Sequence, residues 1–184
     1  NTIASFIRTD PMKARTLLRE FAVFYRRTLE DSTERISLAR ELDQVQRYFN
    51  FELARFGDAR LAFEVDTSPA LLDMMVPPFL VQPLVENAIK HAMPSEGKLT
   101  ITVKADADGD DVVIVVSDDG VGMSLEEQER MWDRFWRADS SRNSEGTGLG
   151  LAIARWIIDR HGGSAQVRSA PGKGTEIRVV FPRK

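Results

Sequence analysis

The chain has 184 residues, 42% of them hydrophobic and 29% charged, with a formal net charge of −3 at pH 7. That balance suits one globular domain of ordinary size with a short appendage and excludes a disordered or fibrous chain. Basic residues are scattered, which argues against a nucleic-acid partner, and the absence of cysteine excludes a disulfide framework and thiolate metal sites while suiting the cytoplasm.

Residues 1–8 read as the end of a helix already under way, so the natural protein is expected to continue upstream. Asp10 and Pro11 supply an N-cap and a first-turn proline for a new helix running to about Leu29. Its residues Ala14, Leu17, Leu18, Phe21, Tyr25 and Thr28 recur at helical spacing and form a face that seeks a partner. Such a helix is marginal alone and is expected to pack into an antiparallel stem with its neighbour and a second protomer. A third helix over about 38–56 follows from Leu38, Leu42, Val45, Phe49, Leu53 and Phe56, and Gly57 with Asp58 ends it.

Beyond it the period changes to two. Leu61, Phe63 and Val65 predict a strand near 60–66, and Phe79–His91 reads as a helix introduced by Pro77-Pro78. Leu99, Ile101 and Val103 alternate as a strand, and the aliphatic run Val112–Val116 forms another, joined by a turn at Asp108-Gly109-Asp110. That run falls far short of the roughly 20 residues that cross a bilayer. Ser124 and Glu127 have capping-box spacing for a short helix near 125–131, and the polar stretch 138–145 reads as a loop. A helix from about Gly148 to Arg160 and strands near 164–169 and 175–181, flanking the turn 170–174, complete an α/β domain of two layers. The expected division is a helical stem over 1–33 and a domain over 34–184.

Four short motifs carry chemistry. Asp118-Asp119-Gly120-Val121-Gly122 follows a buried strand and reads equally as an ordinary turn or as a flat-ligand site. In the second reading the carboxylate accepts the amino group of adenine, whereas guanine presents a carbonyl at that edge, so ATP is favoured over GTP. Gly146, Gly148 and Gly150 alternate after a polar loop instead of a strand, which rules against a dinucleotide fingerprint, and no GKS or GKT triplet marks a Walker loop. A flexible cover over phosphates, with amides at the start of the next helix, fits; a plain hinge also reads from these glycines. On the helix before them, Glu86 and Lys90 share a face, as do Asn87 and His91. A solvated helix face explains this. So does a site in which Asn87 offers oxygen to Mg²⁺, Lys90 meets phosphate charge and Glu86 orients or deprotonates the attacking group. Phe135, with Trp132 and Trp136, reads first as packing of the lid.

In this order the motifs resemble the N box, first glycine box, F box and second glycine box of the GHKL ATPases, over about residues 60–182. The resemblance implies the Bergerat α/β sandwich, with ATP and Mg²⁺ as cofactors. It implies Asn87 for Mg²⁺, Lys90 and His91 for phosphate or ribose, Asp118 for adenine with Gly120 and Gly122 beside it, and Phe135 in the lid. Gly146, Gly148 and Gly150 are implied at the phosphates, with Thr147 and Leu149 in the same ATP-binding box, and Thr175 near adenine; the catalytic carboxylate is expected to be Glu86. Within the superfamily, Arg134–Asp139 and Gly146–Gly163 resemble HisKA-type sensor histidine kinases. Asn1-Thr2-Ile3, Leu38–Phe56 and Val76–Asn87 resemble the LytS-type branch, in which Asn-Thr-Ile lies just after the phosphoacceptor segment. That resemblance implies a histidine kinase acting as a homodimer, passing phosphate to a response-regulator receiver domain, with any membrane attachment lying upstream. The two histidines, His91 and His161, stand outside the N-terminal helices, so these residues alone are expected to bind nucleotide without efficient self-phosphorylation. An anti-sigma-type serine kinase shares the nucleotide boxes without a long helical stem, and a non-catalytic nucleotide-binding module is the third reading.

Overall fold

The computed structural model describes residues 11, 12, 15, 35–138 and 148–182. Pro11, Met12 and Arg15 are helical; the rest of the expected stem, and residues 139–147, which include most of the polar stretch expected as a loop over 138–145, lie outside the described residues. From Ile36 onward the elements are β1 (Ile36–Ser37), α1 (Leu38–Phe56), β2 (Leu61–Thr67), a 3-10 turn (Pro69–Leu71), β3 (Met75–Val76), α2 (Gln82–His91), β4 (Leu99–Asp108), β5 (Asp111–Asp118), α3 (Leu125–Arg130), α4 (Gly150–Arg160), β6 (Ser164–Ser169) and β7 (Thr175–Pro182).

Five strands form one sheet in the order β2-β4-β5-β7-β6. β2 runs parallel to β4 and every other neighbouring pair is antiparallel. The alternation along the strands divides the two faces. Leu99, Ile101 and Val103 of β4, Val112, Ile114 and Val116 of β5, and Ile177, Val179 and Phe181 of β7 are all buried. They share one core with Leu84, Val85, Ala88 and Ile89 of α2 and with Ala154, Ile157 and Ile158 of α4. α1 closes the end of this core near β2, where Phe49 stacks on Phe63 with ring centroids 5.2 Å apart. The two-layer α/β sandwich follows, because a sheet with one apolar face must bury it under helices.

Local signals explain most boundaries. Ser37 caps α1 through Arg40 N, and Gly57 ends it at φ 80°. Gly109, at φ 59°, makes the tight connection of the β4–β5 hairpin. Ser124 and Glu127 form a reciprocal capping box at α3, with Ser124 N donating to Glu127 Oε2 at 2.7 Å.

Two expectations require correction, and one pairing was not foreseen. The predicted helix from Phe79 begins only at Gln82, because Phe79 turns the chain at φ 60°, where no right-handed helix can continue. The helix predicted from Gly148 begins at Gly150, since Gly148 sits at φ 70°. The short antiparallel pair of β1 with β3, Ile36 opposite Val76, is too brief to show a period and has no counterpart among the expected elements. Among the described residues no helix is long and apolar enough to cross a membrane.

Candidate nucleotide site

Asp118 ends β5, a central strand of the sheet, directly opposite Thr175 on β7 and Ile101 on β4. Its Oδ1 accepts from Gly120 N at 3.0 Å, curling the chain back as it leaves the sheet. Burial pushes its pKa up to about 6, helped by the charge of Asp119 and opposed by amide hydrogen bonds from Gly120 and Thr175. Asp119 plays a different part, since its Oδ1 accepts from Thr100 N at 2.7 Å and ties the loop to β4.

The loop leaving Asp118 is pressed between two others. Val121 N donates to Ala92 O, at the end of α2, at 3.0 Å, and Gly172 N donates to Val121 O at 2.7 Å. A Cβ on Gly120 would stand 2.1 Å from Ala92 O, and one on Gly174 would stand 1.9 Å from Asp118 O. Gly122, at φ 67°, passes equally close to Ala170 O. These glycines serve close backbone approach and not turn geometry alone. Ser169 pins the same corner, its Oγ accepting from Met123 N at 2.8 Å and lying 3.1 Å from Thr175 Oγ1.

α2 carries the other predicted group. Glu86 and Asn87 are half-buried, whereas Lys90 and His91 are exposed. Glu86 receives Gln82 Nε2 at 2.8 Å and Lys90 Nζ at 3.4 Å, so Lys90 here faces the carboxylate. The His91 imidazole is held below its ordinary pKa, first by partial desolvation of the ring and then by the nearby cations Arg137 and Lys90. Arg137 of the F box thus stands close enough to the N box to disfavour a charged His91, a proximity that residue spacing does not reveal.

The F box and the second glycine box meet directly, Phe135 N donating to Gly148 O at 2.9 Å. Phe135 is held at φ 64°, a left-handed conformation unusual for a bulky side chain and typical of over-determined, functional segments. Trp132 and Trp136 pack partly against the core, under Arg155 and Arg130 respectively. Leu149 is buried and Gly150 is exposed at the start of α4; Gly146 and Thr147 lie outside the described residues. The structure thus gathers Asp118, Gly120, Gly122 and Thr175 at one corner with the end of α2, and joins Phe135 to Gly148.

Residues 79–184 match the family model of histidine kinase-, DNA gyrase B- and HSP90-like ATPases. The chain belongs to this ATPase family. Residues 1–61 match a histidine kinase model as well, which makes this an ATPase domain of the sensor histidine kinases. The sensor protein LytS of Staphylococcus saprophyticus is 36% identical over 99% of the chain, and the sensor histidine kinase/phosphatase LytS of Staphylococcus aureus is 34% identical over 99%. The chain spans 30% and 31% of the length of those two relatives. The mycobacterial sensor histidine kinase MprB superposes with a TM-score of 0.65 at 27% identity, covering 81% of this chain and 97% of its own. The histidine kinase ShkA in complex with AMPPNP has a TM-score of 0.69 at 23% identity, covering 91% of this chain and 35% of its own. At that identity it supports the fold alone.

Sequence reasoning also missed a buried residue at the start of α2. Glu41 of α1 is fully buried and reaches the start of α2. The signal was present: Glu41 and Glu52 interrupt the buried stripe of α1 at positions that its spacing reserves for apolar side chains.

Proposed function

We propose that this chain binds Mg·ATP and transfers its γ-phosphoryl to a histidine other than His91 and His161, for relay to an aspartate of a response-regulator receiver domain. The observation that carries the reading is the corner at Asp118. A half-buried carboxylate ends a central strand, and glycines 120, 122 and 174 bring three backbone segments around it. That corner offers a carboxylate acceptor held in place by close backbone packing, and such an acceptor suits the amino group of adenine.

Each residue has a role. Asp118 accepts the adenine amino group, with Thr175 beside it; Lys90 and His91 meet phosphate or ribose; Gly146, Thr147, Gly148, Leu149 and Gly150 supply amides to the phosphates; Phe135 anchors the lid. Asn87 offers a neutral, hard oxygen to Mg²⁺. Asn87 would hold the ion alongside phosphate oxygens and water, the hard oxygen ligands that Mg²⁺ prefers. Bound there, Mg²⁺ neutralises charge on the phosphates. Glu86 orients the attacking imidazole and accepts its proton, once Lys90 turns from it toward phosphate. Catalysis rests on this positioning and on water exclusion by the lid.

The match over residues 1–61 favours a sensor kinase with a dimerising stem, over 1–33, over a serine kinase that carries only the nucleotide domain, here 34–184. The intact protein is then a homodimer, with this portion in the cytoplasm and any membrane anchor upstream.

The test is the chemistry of the label left by γ-³²P-ATP. A longer chain carrying the upstream acceptor should hold an acid-labile, base-stable label, whereas residues 1–184 alone should hold none. Label on this chain at His91 or His161, or an acid-stable label on the longer one, contradicts the proposal.

A further inference from the structure

α2 has no cap of its own. Its N-cap residue, Val81, has no side-chain hydrogen bond to the first turn, and Pro83 stands within that turn. The free amides are taken instead by Glu41, far upstream on α1: Glu41 Oε2 accepts from Phe79 N at 3.0 Å, and Oε1 accepts from Val81 N at 2.9 Å and Gln82 N at 3.4 Å. A carboxylate at a helix N-terminus is favoured both by these bonds and by the helix dipole. Here the Glu41 side chain is fully buried, a costly placement for a charge unless it is fully hydrogen-bonded. The same carboxylate holds Phe79 where its φ of 60° reverses the chain into the helix.

The consequence reaches the reacting end of the site. Gln82, whose amide Glu41 holds, is the residue whose side chain donates to Glu86 at 2.8 Å. Glu86 and Asn87 sit one turn further along the same ten-residue helix. We propose that Glu41 is a positioning residue of the nucleotide site: by capping α2 it fixes Gln82, and through Gln82 and the first helical turn it sets Glu86 and Asn87 toward Mg²⁺ and the γ-phosphate. Glu41 thus also ties the N-box helix to α1. The proposal rests on the assignment of Asn87 to the metal; the loop after Asp118 meets α2 only at the opposite end from the cap, through Ala92.

The test separates the two ends of the nucleotide. Glu41→Gln keeps the size of the side chain but places an amide donor where one of the two acceptor oxygens stood. Calorimetry gives the gain in ATP affinity on adding Mg²⁺, and an NMR titration gives the affinity for adenosine, which reaches the Asp118 corner and carries no phosphate to hold Mg²⁺. Glu41→Gln should cut the Mg²⁺-dependent gain on the order of tenfold, as loss of groups supporting metal ligands commonly does, with adenosine affinity unchanged. Gln82→Ala, which leaves the buried cap intact, should lose part of the same gain and guards against misfolding of the first variant. An undiminished gain in both variants overturns the proposal, as does an equal loss of adenosine binding, which marks Glu41 as structural only. If the unaltered chain binds adenosine but shows no Mg²⁺-dependent gain, the assignment of Asn87 fails and the proposal with it; if it binds neither, the nucleotide site itself is misplaced.

Discussion

Replacing Gly120 by alanine tests the packed corner most sharply. The added Cβ would stand 2.1 Å from Ala92 O, 2.6 Å from Ala92 Cβ and 2.8 Å from Ala92 C, where ordinary contact begins at 3.4 Å. The loop must therefore retreat from the end of α2 by about 1 Å, a displacement that breaks the bond from Val121 N to Ala92 O. The lost hydrogen bond costs about 1 kcal/mol and the overpacking about 1–3 kcal/mol. For a chain of this size each kcal/mol lowers Tm by about 2–4 °C, so scanning calorimetry should show a fall of roughly 5–15 °C. ATP affinity should fall on the order of a hundredfold, since the adenine corner then stands misplaced relative to α2. Gly150→Ala is the control for stability: nothing lies within 4 Å of its added Cβ, and its Tm should stay level or rise slightly. A Gly120→Ala variant with unaltered Tm and ATP affinity would refute the close-approach explanation.

Two further outcomes follow from particular contacts. Ser124→Ala removes half of the capping box at α3 and should destabilise the chain by about 1 kcal/mol, seen as a small fall in Tm with ATP affinity retained; no fall means that α3 is held by other contacts. The Asp118 pKa, pushed up to about 6 by burial, gives two linked pH dependences. The folded state binds the proton more tightly than the unfolded one, so this group's contribution to stability is present below about pH 4 and is lost as pH rises through about 6. Adenine binding needs the carboxylate, so ATP affinity should run the other way and fall as pH drops below about 6. An affinity flat from pH 8 to pH 5 would show that Asp118 is not the acceptor.

The alternating strands and the four motifs were legible because their signals are local. Leu99, Ile101 and Val103 announce their own face, and Asp118 stands directly after the run that buries β5. The function of the glycines was only half legible. A glycine's neighbours in sequence show a turn, but the backbone that passes Gly120 belongs to Ala92 and that facing Gly122 belongs to Ala170. The start of α2 was misplaced for a similar reason: apolar residues from Phe79 onward fit a helical period, while the turn at Phe79 and the cap from Glu41 depend on an element about forty residues upstream. Likewise β1 and β3, with two residues each, have no period to read, and only their pairing defines them. Long-range contacts thus account for the glycines, the start of α2 and the β1–β3 pair.

The central claim is that Asp118 reads adenine in a site for ATP. The direct measurement is calorimetric titration of this chain and its Asp118→Asn variant with ATP and GTP in the presence of Mg²⁺ at pH 8. The unaltered chain should bind ATP and discriminate strongly against GTP, whose carbonyl would face the carboxylate, and Asp118→Asn should lose ATP affinity on the order of tenfold or more. Equal affinities for the two nucleotides, or an Asp118→Asn variant that binds ATP as the unaltered chain does, would contradict it.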